Sequence, residues 1–221
     1  PLMSANILLL PELREMIKNH DDKEMQIFCS ALHPASTADF LNGLEPHEIW
    51  RILQANPITL RAEIFSYFDS DLQVRIIEEC PREEVAKLLE ETPSDDRVDL
   101  LDDLKPEVVD ELSSLLPTED RKDVALLSSY DEGTCGAEMS SDFVRLREDM
   151  TVGEAISEIS AQTHLMETVY YLYVLDKEGR LAGVVSAKDL LRRINQQTTP
   201  ISSFMKGAGT LVTVDANESR E

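Results

Sequence analysis

The sequence predicts a multidomain chain of α plus α/β class. An N-terminal α-helical superhelix of short repeats leads into a β-α-β-β-α module and then into the truncated start of a second one. Three observations carry this. Prolines recur about every twelve residues between Pro46 and Pro117, the length of one short helix and a turn. Glycines and β-branched residues enter after Tyr130. The opening of the second region is echoed again after residue 200.

Taken in order, residues 1–39 read as a longer amphipathic helix or two, with Leu13, Met16 and Ile17 and then Met25, Ile27, Phe28 and Leu32 on the apolar side. From about residue 40 to 130 the series Pro46, Pro57, Pro81, Pro93, Pro106, Pro117 sets the period, and Asp69-Ser70-Asp71 fills its one gap. Each interval carries an apolar motif, such as Ile49-Trp50-Arg51-Ile52-Leu53, Val85-Ala86-Lys87-Leu88-Leu89 or Val108-Val109-Asp110-Glu111-Leu112. Proline suits a helix start because its missing N–H has no partner in the first turn anyway. Acids follow it, as in Pro81-Arg82-Glu83-Glu84, where the helix dipole favours them. A helix this short cannot bury its stripe alone, so neighbours stack, and residues 1–130 form one superhelical domain.

At Tyr130-Asp131-Glu132-Gly133-Thr134-Cys135-Gly136 the period breaks, and a module over 131–198 begins. Its expected elements are a strand at Phe143–Leu146, a helix opening at Thr151, strands at Tyr170–Leu175 and Leu181–Val185, and a helix from Ala187 to about Asn195. Thr151 and Glu154, three apart, make a capping box. Asp176-Lys177-Glu178-Gly179 turns the chain between the paired strands. Residues 199–221 then repeat the beginning. Ile201-Ser202-Ser203-Phe204-Met205 echoes Cys135–Met139, and Leu211-Val212-Thr213-Val214-Asp215 echoes the first strand. A strand without its β-β-α partners cannot close a module, so this second copy is expected to be incomplete.

Composition narrows the function. The net charge is −22, from 43 acidic and 21 basic residues. That disfavours nucleic acid, whose phosphates need Lys and Arg, and anionic lipid; it favours cations or a basic partner. Apolar residues make up 42%, enough for a core. No apolar run reaches the roughly eighteen residues of a membrane helix, and Ile7-Leu8-Leu9-Leu10 is too short for a secretion signal. Cys29, Cys80 and Cys135 are odd in number and far apart, which reads as free thiols in a reducing cytosol. The histidines lack zinc-ligand spacing. No nucleophile–base pair, Cys/His pairing or phosphate-binding loop stands out, so an enzyme is not expected.

One segment concentrates the acidity: Ser94-Asp95-Asp96-Arg97-Val98-Asp99-Leu100-Leu101-Asp102-Asp103-Leu104. At 100° per residue, Asp95, Asp96, Asp99, Asp102 and Asp103 fall within about a third of the helix circumference, opposite Val98, Leu101 and Leu104. Like charges at these spacings cost about 0.2–0.5 kcal/mol per pair, and hard divalent cations prefer oxygen ligands. Ser94 as N-cap with first-turn acids accounts for Asp95 and Asp96 but not for the other three. A divalent-ion face and a solvated acidic stripe both fit the segment.

The 131–198 region resembles the cystathionine-β-synthase (CBS) domain. The element order and Gly183-Val184-Val185-Ser186-Ala187-Lys188-Asp189, which follows the Gly-x-x-Ser/Thr-x-x-Asp pattern, carry the likeness. Ser186 is placed either to face phosphates or to cap the helix, and Asp189 to accept from ribose hydroxyls. A helical superhelix leading into such a module, with the joint at Tyr130–Met139, the Ser94–Leu104 segment and Glu167–Val174, resembles the cytosolic part of MgtE-type magnesium transporters. That resemblance implies a homodimer through the CBS domains, a membrane pore elsewhere in the full-length protein, and a location on the cytoplasmic side of the membrane. It further implies Mg2+ held by Asp95, Asp96, Asp99, Asp102, Asp103 and Glu221, clamping the helical and CBS domains together when Mg2+ is high. In some relatives ATP occupies the CBS cleft, which here implies Tyr171, Ser186, Lys188 and Asp189. Ca2+ in place of Mg2+ remains chemically open. The rival reading is an adenine-nucleotide-binding CBS module whose helical array recruits a protein partner.

Overall fold

Helix starts follow the proline series in the computed structural model, which describes residues 3–162 and 170–219, and for residues 3–8 the helical backbone alone. The chain divides into two units. One holds the chain up to Thr92 together with Asp96–Leu126; the other holds Pro93–Asp95 and the chain from Leu127 on.

The helices of the first unit are α1 (Met3–Lys18), α2 (Asp22–Ala31), α3 (Pro34–Leu41), α4 (Pro46–Gln54), α5 (Ile58–Phe65), α6 (Ser70–Glu79), α7 (Arg82–Glu90), α8 (Ser94–Asp102), α9 (Pro106–Leu115) and α10 (Thr118–Leu127), with Ser94 and Asp95 of α8 and Leu127 of α10 counted in the second unit. The expected long helix or two over residues 1–39 is broken further, at His20 and His33. His20 has φ 54°, a left-handed conformation that ends α1. His33 caps α3, with Pro34 in its first turn. Pro46 and Pro106 occupy the first helical turn, while Pro57 and Pro81 stand at the N-cap. At α6, where proline is missing from the series, Asp69 caps instead by accepting from the Leu72 amide at 2.9 Å. Before α4, Glu45 and Glu48 form a capping box that the sequence reading did not anticipate.

Helices pack mainly on their second neighbours: α1 on α3, α3 on α5, α5 on α7, α7 on α9, and α4 on α6. This is the stacking of a superhelical array, in which each short helix covers its stripe with the next repeat but one. Trp50, Phe65, Ile64, Ile76, Ile77, Leu88, Leu89 and Leu112 lie in one continuous core.

The second unit contains a four-stranded sheet in the order β1 (Arg145–Arg147), β2 (Tyr171–Leu175), β3 (Leu181–Ser186), β4 (Lys206–Gly207), with α11 (Val152–Gln162) and α12 (Ala187–Leu191). β1 runs parallel to β2, and the other pairs are antiparallel. Parallel pairing requires a crossover, and the chain between β1 and β2 includes α11. Thr151 and Glu154 cap that helix, the carboxylate accepting from the Thr151 amide at 2.8 Å. Leu172 and Val174 point into a core with Val144, Leu146, Val152, Ala155, Val185, Leu190 and Ile201. Strand alternation then turns Tyr171 and Tyr173 to the other face.

Three expectations are corrected. β1 starts at Arg145, where its ladder with Tyr173 begins, and Phe143 lies before the strand with its ring edge-on to Tyr173. α12 ends at Leu191, and turns, not helix, run on to Asn195. Leu211–Asp215 is not a strand. It has no ladder neighbour among the described residues, and Val212 is 95% exposed. The sheet edge is taken earlier by Lys206–Gly207, and residues 216–219 pair backbone to backbone with 134–136.

Candidate functional site

The acidic segment folds as α8. Its inner face is fixed by burial of Arg97, Val98, Leu100 and Leu101, with Leu104 in the following turn. That orientation leaves Asp96, Asp99 and Asp102 exposed, with Asp103 exposed just beyond the helix end. Asp95 is half-buried, and its Oδ1 is enclosed with no hydrogen-bond partner among the described residues. Ser94 is the first helical residue. Its amide donates to Asp142 at 2.7 Å, and its Oγ accepts from the Ser141 amide at 2.9 Å. The expected cap hydroxyl is therefore engaged with the 140–142 segment.

Arg97 is what anchors α8. It is 97% buried, being only 3% exposed. It donates from Nε to the Leu89 carbonyl (2.8 Å) and from Nη2 to the Thr92 carbonyl (3.0 Å), and its Nη1 lies 3.0 Å from Asp120 on α10. These contacts fill the inner side of the helix and keep the aspartates outward.

Among the described residues, no group of three His, Cys, Asp or Glu side chains converges to hold a metal ion. The face still fits Mg2+ in one respect. This ion keeps much of its water and is held through one or two carboxylates, and residues three and four apart on a helix have Cβ atoms about 5–6 Å apart. Asp96 with Asp99, and Asp99 with Asp102, have that spacing within α8. Glu221 lies outside the described residues, as do Glu167–Val169 from the segment that carried part of the family resemblance.

The second candidate site is a cavity of about 1190 Å3 within the second unit. Tyr171, Ser186, Lys188 and Asp189, all four expected from the resemblance, line it together. Ser186 caps α12. Its Oγ accepts from the Asp189 amide (3.1 Å) and donates to Asp189 Oδ2 (2.8 Å). The cap is thus the hydroxyl's role here, and it fixes one oxygen of the Asp189 carboxylate. Sequence reasoning missed Phe143, Tyr173, Phe204 and Lys206 on the walls. Strand alternation around Tyr171 held a signal for Tyr173. The other three arrive from β1's approach and from the β3–β4 pairing, which no local pattern announces.

An adenine nucleotide fits this lining. Aromatic rings at Tyr171, Phe143 and Phe204 offer flat apolar surface, Lys188 and Lys206 offer two cations for phosphates, and Asp189 offers an acceptor for hydroxyls. Nearby, the Asp176 carboxyl is held below its usual range, chiefly by the Arg180 amide and also by the Arg180 side chain. It accepts from the Glu178 and Arg180 amides at 2.9 Å each, and Gly179 takes φ 78° to complete the hairpin turn.

Comparison with known proteins bears on both sites. Residues 32–133 match the MgtE intracellular N domain, and residues 135–196 match the CBS domain. The magnesium transporter MgtE of Thermus thermophilus is 27% identical over 213 residues, 95% of this chain and 47% of the relative. That of Enterococcus faecalis is 34% identical over 88 residues, 40% of this chain and 19% of the relative. The chain thus spans about half the length, or less, of these curated relatives. A crystal structure of the soluble part of a magnesium transporter superposes with TM-score 0.82 at 27% identity, covering 98% of this chain and 83% of that one. A crystal structure of the cytosolic domain of the Mg2+ channel MgtE in complex with ATP superposes with TM-score 0.78, also at 27% identity, covering 94% and 83%. The described residues contain no helix long and apolar enough to cross a membrane. With both domain models matched in succession, and the likeness running over nearly the whole chain, the chain carries an MgtE intracellular N domain followed by a CBS domain and is similar to the soluble part of a magnesium transporter.

Proposed function

We propose that this chain is the regulatory, Mg2+-sensing region of a magnesium transporter, lying on the cytoplasmic side of the membrane and acting by binding and not by catalysis. The observation that carries the reading is the outward aspartate face of α8, held in place by a buried arginine within an MgtE N domain. At 4 Å two unit charges interact by about 4 kcal/mol at an effective dielectric of 20. An acidic face brought against further carboxylates is therefore opposed until cations join it. High Mg2+ supplies those cations and clamps the N and CBS domains; low Mg2+ leaves them to repel. The clamp is proposed to act on a pore in the full-length protein, within a homodimer formed through the CBS domains. A ligand can shift such an equilibrium only through its different affinity for the two states.

Small-angle scattering across an Mg2+ titration tests this. The radius of gyration is expected to fall between zero and tens of millimolar Mg2+, and Asp96→Asn/Asp99→Asn is expected to need more Mg2+ for the same change. An unchanged radius in the unsubstituted chain overturns the reading.

The cavity favours a second, compatible reading: an adenine nucleotide bound at Tyr171, Lys188 and Asp189, with ATP as the example, and the helical array free to engage a protein partner. Calorimetric titration with ATP checks it, since Lys188→Ala should weaken binding if the cation meets phosphate. Nucleotide binding without any Mg2+-dependent compaction would favour this reading over the first.

A further inference from the structure

Arg193 lies outside the cavity lining but holds two residues that are part of it. Its Nη1 donates to the Asp189 carbonyl at 3.0 Å and stands 3.7 Å from Asp189 Oδ1. Its guanidinium carbon sits 4.2 Å from the centre of the Phe204 ring. Asp189 and Phe204 both line the cavity. The Asp189 carboxylate is thus gripped from two sides, with Oδ2 taken by the Ser186 hydroxyl and Oδ1 facing the guanidinium.

The two grips differ in kind. The Ser186 contact at 2.8 Å is a full hydrogen bond. The Arg193 contact at 3.7 Å exceeds hydrogen-bond reach and acts as an ion pair only. Oδ1 therefore keeps its lone pairs for another donor while its direction is set by the nearby charge. Arg193 is only 31% exposed at its side chain. Its guanidinium lies over the Phe204 ring, and that cation–π contact limits the rotamers open to it.

Resting on the nucleotide reading of this cavity, we propose that Arg193 is a positioning residue that fixes Asp189 Oδ1 toward the vicinal hydroxyls of a ribose, and so makes the site prefer ribonucleotides over nucleotides lacking those hydroxyls. Arg193 does not touch the ligand. It acts through Asp189 on one side and Phe204 on the other. An arginine here also offsets the carboxylate charge that would otherwise repel a polyphosphate, but that effect is shared by ligands with and without hydroxyls. The ratio of two affinities separates the roles.

The test measures dissociation constants of ATP and 2′,3′-dideoxy-ATP by calorimetry for the unsubstituted chain, Arg193→Met, Asp189→Asn and the double variant. The unsubstituted chain is expected to prefer ATP tenfold or more. Arg193→Met should reduce that preference to threefold or less, and adding it to Asp189→Asn should change the ratio no further. An equal loss of affinity for both nucleotides in Arg193→Met, with the preference intact, overturns the positioning role and leaves a structural or charge role. If neither nucleotide binds the unsubstituted chain, the nucleotide reading itself falls, and the proposal with it. Lys188→Ala serves as the fold and affinity control: it should weaken both nucleotides alike and leave the ratio unchanged, and a changed ratio there would also overturn the assignment to Arg193.

Discussion

Replacing Arg97 with methionine isolates the interaction that orients the acidic face. Methionine fills much of the space of the arginine stem, so the loss is that of the guanidinium and not of a large cavity. That group makes two hydrogen bonds to the carbonyls of Leu89 and Thr92 and pairs at 3.0 Å with Asp120, whose side chain is 23% exposed. Removing one partner of a buried pair costs about 3–5 kcal/mol, because the other charge and the two carbonyls are left without compensation. The two hydrogen bonds are already inside that figure and are not added to it. Against a domain stability of about 5–15 kcal/mol this is a large share. With a urea slope of about 2 kcal/mol/M, the unfolding midpoint followed by circular dichroism should fall by roughly 2 M. Asp120→Asn keeps the shape but removes the charge and should cost less, about 1.5–3 kcal/mol. The double variant should cost less than the sum, by about 0.5–3 kcal/mol, since both changes remove one interaction. A midpoint within about 0.3 M of the unsubstituted chain for Arg97→Met would refute the argument, as would strict additivity in the cycle.

Three further outcomes follow from the second unit and the core. A methyl group at Gly183 would press within 3.0 Å of the Lys206 carbonyl and against Met205 Sδ. Gly183→Ala should therefore disrupt the β3–β4 pairing at a cost of about 1–3 kcal/mol, seen as a lowered melting temperature. Burial pushes the Cys29 thiol up to about 11 and the Cys80 thiol up to about 12, while Cys135 is partly accessible. A chromogenic disulfide reagent at mildly alkaline pH should titrate Cys135 first and reach the other two only on unfolding, because the thiolate is the reacting form. The Glu154 carboxyl is held below its ordinary value of 4.5, first by the Thr151 amide and then by the Thr151 hydroxyl. A depressed native pKa contributes stability above the ordinary value and loses it as pH falls through the native one. Melting temperatures should thus drop on acidification below about pH 4.5, and Glu154→Gln should show a shallower drop over that window.

How much of this was legible depends on whether a feature is local. The inner and outer faces of α8 follow from spacing alone: Val98, Leu101 and Leu104 went inward as the 3.6-residue period requires, and Arg97 followed them although it is charged. Burying a charge needs partners, and they are the carbonyls of Leu89 at the end of α7 and of Thr92 in the turn after it, with Asp120 from α10; no pattern of residue types marks a backbone carbonyl as a partner, and Asp120 lies far off in sequence. Ser186 was legible as a cap because capping is a three-residue affair. Lys206 and Phe204 were not legible as cavity residues, since a β3–β4 pairing brings them there across some twenty residues of chain. The same long-range competition explains the misplaced strand at Leu211–Asp215. Its residues suit a strand, but strand propensity is realised only where a neighbouring ladder is open.

The charge balance gives the acidic face its sharpest test. Cations of the first unit are largely committed to stitching helices together: Arg14 to Glu48, Arg51 to Asp22, Arg61 to Glu84, Arg75 to Glu45, Arg82 to Glu111, Arg97 to Asp120 and Lys105 to Glu78. Each of these pairs joins separate helices or their caps, so the array uses its basic residues internally. With 43 acids against 21 bases, a surplus of 22 carboxylates has no cation in the chain whatever the side-chain conformations. Solution ions must screen that surplus, and simple screening is a rival to a specific site. The two differ in salt dependence. At 0.15 M ionic strength exposed charges are already screened beyond about 8 Å, so a diffuse effect should vanish in concentrated KCl, and KCl should mimic Mg2+. A site built on paired aspartates should still respond to millimolar Mg2+ against a KCl background of about 0.5 M, with a midpoint raised but present, because ions held at close range are screened far less. Repeating the scattering titration in that salt decides between them: compaction by KCl alone, with no further change on adding Mg2+, would reduce the α8 face to a solvated stripe.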